Sequence, residues 1–305
     1  MEGGVKRPRS QELTVLVGDD SGLVKSLEPG DDEEIKVKVY GEQQANTAVR
    51  ALIVDPEGTV IVGRKLGQVD KLSLETEQFE ALNAPQASEM LSMSYWDGKT
   101  VKLYKNSHIE VGSSTFRVEN SKPRFAAVSS GNCAVAGKDF PLQTYDLTTQ
   151  QATWKAWILS IENIREKVND LRCVYADPQK IVVTTAFNHV RLYDVRAGRK
   201  PVKNTQLNTA GTQYCLGLIS LHQAPSSHYF VGDTVGHVYK LNEDFQILKK
   251  VKDKGNGAVR DIISNEELLF TASLDRSLRV YDSDTLELQR KVQLWQKLNC
   301  LALIS

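Results

Sequence analysis

The sequence has no excess of charge of either sign: 38 Lys and Arg stand against 38 Asp and Glu over 305 residues. A domain that coats nucleic acid by bulk charge runs strongly basic, and a membrane-surface protein shows a basic face or an apolar anchor; whole-chain charge supports neither. No apolar run approaches the roughly 18 to 20 residues of a membrane helix. The first residues, MEGGVKRPRS, are polar with no apolar stretch behind them. Neither membrane association nor a secretory signal is expected. Cysteine is scarce: Cys133, Cys173, Cys215 and Cys300 lie at least forty residues apart. That spacing has none of the close pairs of metal sites or redox motifs and fits buried free thiols in a reducing compartment.

Catalytic signatures are also missing. The chain holds no GxxxxGK[ST] phosphate cradle, no GxGxxG opening a helix, no GxSxG elbow and no HExxH. His108, His189, His222, His228 and His237 are dispersed, and His189 and His237 fall inside a repeated motif where a structural role is expected. Asp282 and Asp284 lack the glycine and closing glutamate of a calcium loop and read as a turn. No catalytic residue, metal or cofactor is expected.

What is present is one strand pattern, repeated. Apolar residues make up 41% and charged residues 25%, enough for a core without staples. Runs of four to eight Val, Ile, Leu and Tyr alternate with polar residues and are separated by Gly, Asp, Asn or Ser, which predicts strands. An apolar run ending in Gly or Thr, a polar turn and an alternating strand recur from Val15, Val60, Cys133, Val182, Tyr229 and Leu269, with a weaker copy from Val101. From Val17 to Thr271 the mean step is about 42 residues, within the 40 to 45 of WD-type propeller blades. Further strands precede the hairpins, as in AVRALIVD from Ala48 and AVRDIIS from Ala258, and follow them, as in IKVKVY from Ile35 and LQRKVQLW from Leu288. Four strands per repeat make one blade.

The hairpin at Leu13 has no strand ahead of it, and KLNCLALIS from Lys297 has no hairpin behind it. Pairing the two closes a ring and removes an exposed sheet edge. The expected fold is all-β: a single seven-bladed WD-repeat-type propeller over residues 13–305, closed by a C-terminal strand in the first blade, with residues 1–12 a disordered leader. One segment departs from strand grammar. Ile158, Ile161, Ile164 and Val168 recur at helical spacing, which predicts a short helical insertion at about 157–170. It either packs on its own propeller or meets a partner.

Asp19, Asp139, Asp233 and Asp275 recur at the hairpin turns, where a carboxylate accepts backbone amides and holds a tight loop; they are read as structural turn residues. Tyr145-Asp146, Tyr193-Asp194 and Tyr281-Asp282 stand where WD repeats carry Trp-Asp, an aromatic that packs between blades. Basic residues gather at Arg191, Arg196, Arg199 and Lys200, then at Lys249, Lys250, Lys252 and Lys254, then at Arg260, Arg276 and Arg279. Phosphate contacts act over a Debye length of roughly 10 Å, so a neutral chain can carry a basic side. Solvated edge protection and a patch for RNA or an acidic partner both remain open.

VRLYDVRAGRKPV, Val190 to Val202, resembles a signature of the WD repeat-containing protein 74 family, nucleolar assembly factors of the large ribosomal subunit. LDRSLRVYD from Leu274 and RKVQLWQKLNCLAL from Arg290 are similar to that family's last blade and closing strand, and VLVGDDSGLVKSLE to its first blade. The family usually has a Lys- and Arg-rich extension beyond the closing strand, whereas this sequence has Ser305 there. Its loop before the fifth blade is matched only at Asn163-Ile164-Arg165. The resemblance implies a non-enzymatic scaffold of the nucleus and nucleolus. It would be monomeric, dock among pre-large-subunit assembly factors and ribosomal RNA, and be released by an AAA-type ATPase. Arg191, Arg196, Arg199, Lys200, Trp154, Trp157 and Arg165 are then the candidate contact residues.

Overall fold

The computed structural model describes residues 13–29, 35–119, 122–138, 141–156, 170–207, 218–226, 228–253, 255 and 257–304. Every regular element among them is a strand. The first hairpin is β1 (Thr14–Asp19) and β2 (Val24–Pro29), followed by β3 (Ile35–Tyr40). Blade 2 is β4 (Val49–Val54), β5 (Val60–Arg64), β6 (Val69–Ser73) and β7 (Gln78–Ala81). Blade 3 is β8 (Met90–Trp96), β9 (Lys99–Tyr104), β10 (His108–Val111) and β11 (Ser114–Arg117). Blade 4 is β12 (Pro123–Ser129), β13 (Asn132–Gly137), β14 (Gln143–Asp146) and β15 (Ala152–Lys155). Blade 5 is β16 (Asp170–Asp177), β17 (Lys180–Thr185), β18 (His189–Asp194) and β19 (Lys203–Gln206). Blade 6 is β20 (Leu218–Gln223), β21 (Tyr229–Asp233), β22 (Val238–Leu241) and β23 (Ile247–Val251). Blade 7 is β24 (Val259–Ser264), β25 (Leu268–Ser273), β26 (Ser277–Asp282) and β27 (Leu288–Gln293), and β28 (Leu298–Ile304) ends the chain.

These strands form seven four-stranded antiparallel sheets, and the first has the order β28-β1-β2-β3. The orphan strand read from the sequence therefore closes the ring, pairing Thr14 with Ile304 and Gly18 with Cys300. The weak copy at Val101 forms the hairpin of blade 3. The helix expected at about 157–170 falls largely outside the described residues, as does the 1–12 leader.

Burial follows position in the blade. β5 and β21 are buried along their whole length, whereas the outer β7 and β23 are mostly exposed. The core is a ring of seven apolar clusters, one between each pair of neighbouring blades. That arrangement explains the glycine ending the apolar run. A Cβ on Gly18 would lie 2.5 Å from Val49 Cγ1, and one on Gly232 would lie 2.7 Å from Val259, so each glycine lets its strand sit against the next blade's inner strand.

The turns between second and third strands share one end of the ring with the loops between blades. The Asp20 amide donates to the Lys297 carbonyl, Gln44 to Ser21 and Leu274 to Ala258. This end is termed the upper face. β18 leaves it at His189 and reaches the opposite, lower face at Asp194, which places the turn after it there.

Candidate functional site

At the upper-face turns, Asp19 Oδ1 accepts the Ser21 amide at 2.9 Å and the Leu23 amide at 3.1 Å, and Oδ2 accepts Lys25 Nζ. Asp233 accepts the Val235 and His237 amides at 2.9 Å, His237 Nδ1 at 2.7 Å and the Tyr239 hydroxyl at 3.1 Å. Asp275 accepts the Ser277 amide at 3.2 Å and is bridged by the guanidinium of Arg279. In blade 5 the Thr185 hydroxyl oxygen plays this part, accepting the Phe187 and His189 amides. Asp139 lies outside the described residues. Sequence reading found these carboxylates but missed their cationic partners Lys25 and Arg279, and the Arg64–Asp70 pair of blade 2. The signal was available: Lys25 and Arg279 are the second and third residues of their third strands, and Arg64 ends its second strand.

At the lower face, Asp146, Asp194 and Asp282 cap the turns after the third strands, while Tyr145, Tyr193 and Tyr281 are buried between blades. The Asp194 carboxyl is held well below the usual carboxylate range by the Arg196 side chain and then by the Arg196 amide. Arg196 Nε and Nη2 reach Asp194 at 2.9 and 2.6 Å. Trp154, on β15 of the neighbouring blade, donates from Nε1 to the Gly198 carbonyl at 3.0 Å and meets Tyr193 edge-on. Arg199 and Lys200 are exposed on the same turn. The fold thus brings Trp154 of one blade against the loop of the next blade that carries Arg196, Arg199 and Lys200. Arg191 is not among them: it is 3% exposed, and its Nε donates to Asn204 Oδ1 at 3.2 Å. Trp157 and Arg165 lie outside the described residues.

The other two basic clusters singled out in the sequence form no single patch. Lys249 and Lys250 are exposed on β23, Arg260 is half-buried on β24, and Arg279 is wholly buried. Among the described residues no group of three or more His, Cys, Asp or Glu could hold a metal ion.

No family model matches the chain. It is 25% identical over 317 aligned residues to a WD repeat-containing protein of Dictyostelium discoideum, covering 99% of this chain and 60% of that protein's length. In three dimensions it superposes on the WD40 β-propeller domain of Doa1 with a TM-score of 0.72 at 12% identity, over 92% of this chain and 95% of that one. The chain has the seven-bladed β-propeller fold of WD40 domains. The propeller thus spans about 60% of the length of the curated relative it matches.

One histidine of the propeller is set up as an acid-sensitive element. His222 Nε2 accepts the Ser264 amide at 3.2 Å, and burial lowers its pKa to about 4. The unfolded chain binds the proton from about pH 6.5 downward, whereas the folded chain resists it to about pH 4, so stability falls as pH drops through that window. Urea melts of the parent are expected to lose roughly 2 kcal/mol from this group between pH 7 and pH 5. His222→Gln should shrink the loss, and an unchanged pH dependence in the variant would exclude His222 as its source.

Proposed function

We propose that this propeller is a non-catalytic interaction scaffold in the assembly of the large ribosomal subunit. It would dock into the nucleolar precursor among other assembly factors, contribute to ribosomal RNA processing and later be removed by an AAA-type ATPase. The observation that carries this reading is the Val190–Val202 segment. It resembles the signature of the nucleolar WD repeat-containing protein 74 family, and its exposed tip, Arg199 and Lys200, is fixed by the Trp154–Gly198 hydrogen bond and the Arg196–Asp194 pair. A loop ordered before binding pays less entropy on docking, and propellers act through such rigid end surfaces.

The intact chain, tagged in cells, is expected to co-sediment with pre-large-subunit particles and to carry their proteins and precursor RNA. Reversing Arg199 and Lys200 to Glu should reduce that fraction about tenfold, the scale of one or two lost charge-assisted contacts, without lowering Tm. Recovery of a defined peptide-bearing partner with no ribosomal precursors would replace this reading with that of a general adaptor.

A further inference from the structure

The upper mouth of the central channel concentrates charge that the balanced composition hides. The channel is lined by the inner strand of each blade, and in these strands the pairing skips one residue near the upper end. In β4, β12 and β24 the skipped residue is an arginine: Arg50, Arg124 and Arg260. A bulge of this kind frees the residue from the ladder and re-aims its side chain, here away from the interblade cores that hold Val49 and Val259. In β16 the arginine comes one position later, at Arg172. Its Nη2 donates to the Arg260 carbonyl at 3.1 Å, so it reaches from blade 5 to blade 7 across the mouth, and its guanidinium lies 4.5 Å from the centre of the Phe125 ring.

The counter-charge is incomplete. Arg50 donates to Glu89 at 2.8 Å and lies 3.9 Å from Asp20. Asp261 accepts the Leu301 amide at 2.9 Å and also lies in the field of Arg172, which it partly balances. Among the described residues no carboxylate comes within 4 Å of Arg124 or Arg260. Burial, together with the charges of Arg50 and Arg172 and against that of Asp20, pushes the Arg260 guanidinium below its ordinary value.

On the same upper face stands Trp295, 86% exposed on the loop between β27 and β28. The loop is pinned on both sides of it. The Leu294 amide donates to the Arg276 carbonyl at 2.7 Å, and the Lys297 carbonyl accepts the amide of Asp20, the residue next to Arg50. An exposed indole on a held loop is the kind of group that dominates peptide interfaces.

We propose that the upper mouth binds a phosphorylated peptide. The phosphomonoester of a phosphoserine or phosphothreonine sits among Arg50, Arg172 and Arg260 with Arg124 at the rim, and an apolar residue of the same peptide covers Trp295. A dianion with three acceptor oxygens matches converging guanidinium forks better than a single carboxylate does, and it relieves their mutual repulsion. An RNA strand would call for a row of stacking platforms along a basic groove. This face offers one large exposed aromatic among the described residues.

The test titrates the intact chain with three labelled probes at fixed salt. They are a degenerate peptide pool with a fixed central phosphoserine, the same pool with serine, and an oligouridine ten-mer. The phosphoserine pool is expected to bind about tenfold or more tightly than the serine pool, the worth of charge-assisted hydrogen bonds. Arg260→Gln should erase most of that difference, and Trp295→Ala should weaken binding of the phosphoserine pool. Arg199→Glu with Lys200→Glu, on the opposite face, should leave it intact, so this site and the lower-face reading fail separately. Where Arg260→Gln lowers Tm, the exposed Arg124→Gln supplies the variant, with a several-fold loss expected. Equal binding of the two pools, preferential binding of the RNA, or a phosphoserine preference untouched in folded arginine variants would each overturn the proposal.

Discussion

A chain ending at Gln296 is expected to be recovered as aggregate, with no cooperative thermal transition in any soluble fraction. The deleted residues include β28, the inner strand of blade 1, which pairs with β1 from Thr14–Ile304 to Asp19–Leu298. Its side chains serve two interfaces at once. Leu298 and Leu301 belong to the cluster between blades 7 and 1, and Cys300 and Ala302 to the cluster between blades 1 and 2. A fully buried leucine contributes about 1.5–3 kcal/mol, so two of them with the rest of the strand consume much of the ~5–15 kcal/mol that holds a typical domain folded. The deletion also bares one edge of β1, whose buried residues would become a template for pairing with other chains. Size-exclusion chromatography and a thermal melt decide it: a soluble monomer melting at the parent temperature would show that the ring does not depend on its closing strand.

Arg279→Ala is expected to destabilise the propeller by about 3–5 kcal/mol and to lower Tm by roughly 5–10 °C. The Arg279 side chain is wholly buried, yet its guanidinium bridges Asp275 and, from Nε at 3.0 Å, Asp253. Burial alone would lower its pKa; the hydrogen bonds it donates to Asp275 and Asp253 more than offset this and raise it. Removing the cation leaves Asp275 without its ion-pair partner and Asp253 with Lys291 alone, and it frees the turn at Asp275 and Ser277. Arg279→Lys keeps the charge and loses the fork that spans both acids, so it should recover only part of the stability. Differential scanning calorimetry at neutral pH makes the comparison, and an Ala variant within 1 °C of the parent would contradict the account.

The unequal legibility of the blades has a physical basis. Hairpins such as VLVGDDSGLVKSLE are buried on both sides and turn on Asp or Gly, so their burial and their turn chemistry both show in the letters. The hairpin of blade 3 was faint because its turn places Ser107 at φ +67 where glycine or asparagine is usual. The outer strands β7, β11 and β15 were not foreseen at all. They are four residues each and mostly exposed, so no buried face imposes alternation on them. The candidate contact residues divided in the same way. Arg191 stands between Val190 and Leu192 on a strand buried along much of its length and is hidden with it, whereas Arg196, Arg199 and Lys200 lie exposed in the turn that follows.

The sequence by itself determined the repeat, its period near 42 residues, the carboxylates at the turns and the strand that closes the ring. These are local in the chain or periodic along it, and period is visible in one dimension. Only the tertiary structure decided that Arg50, Arg172 and Arg260 come together at one mouth, that Arg279 is interior, and that Trp154 holds a loop of the next blade. A ring brings equivalent positions of distant repeats to a common axis. Residues far apart along the chain become neighbours there, and a charge balance taken over the whole length averages out the places where charge collects.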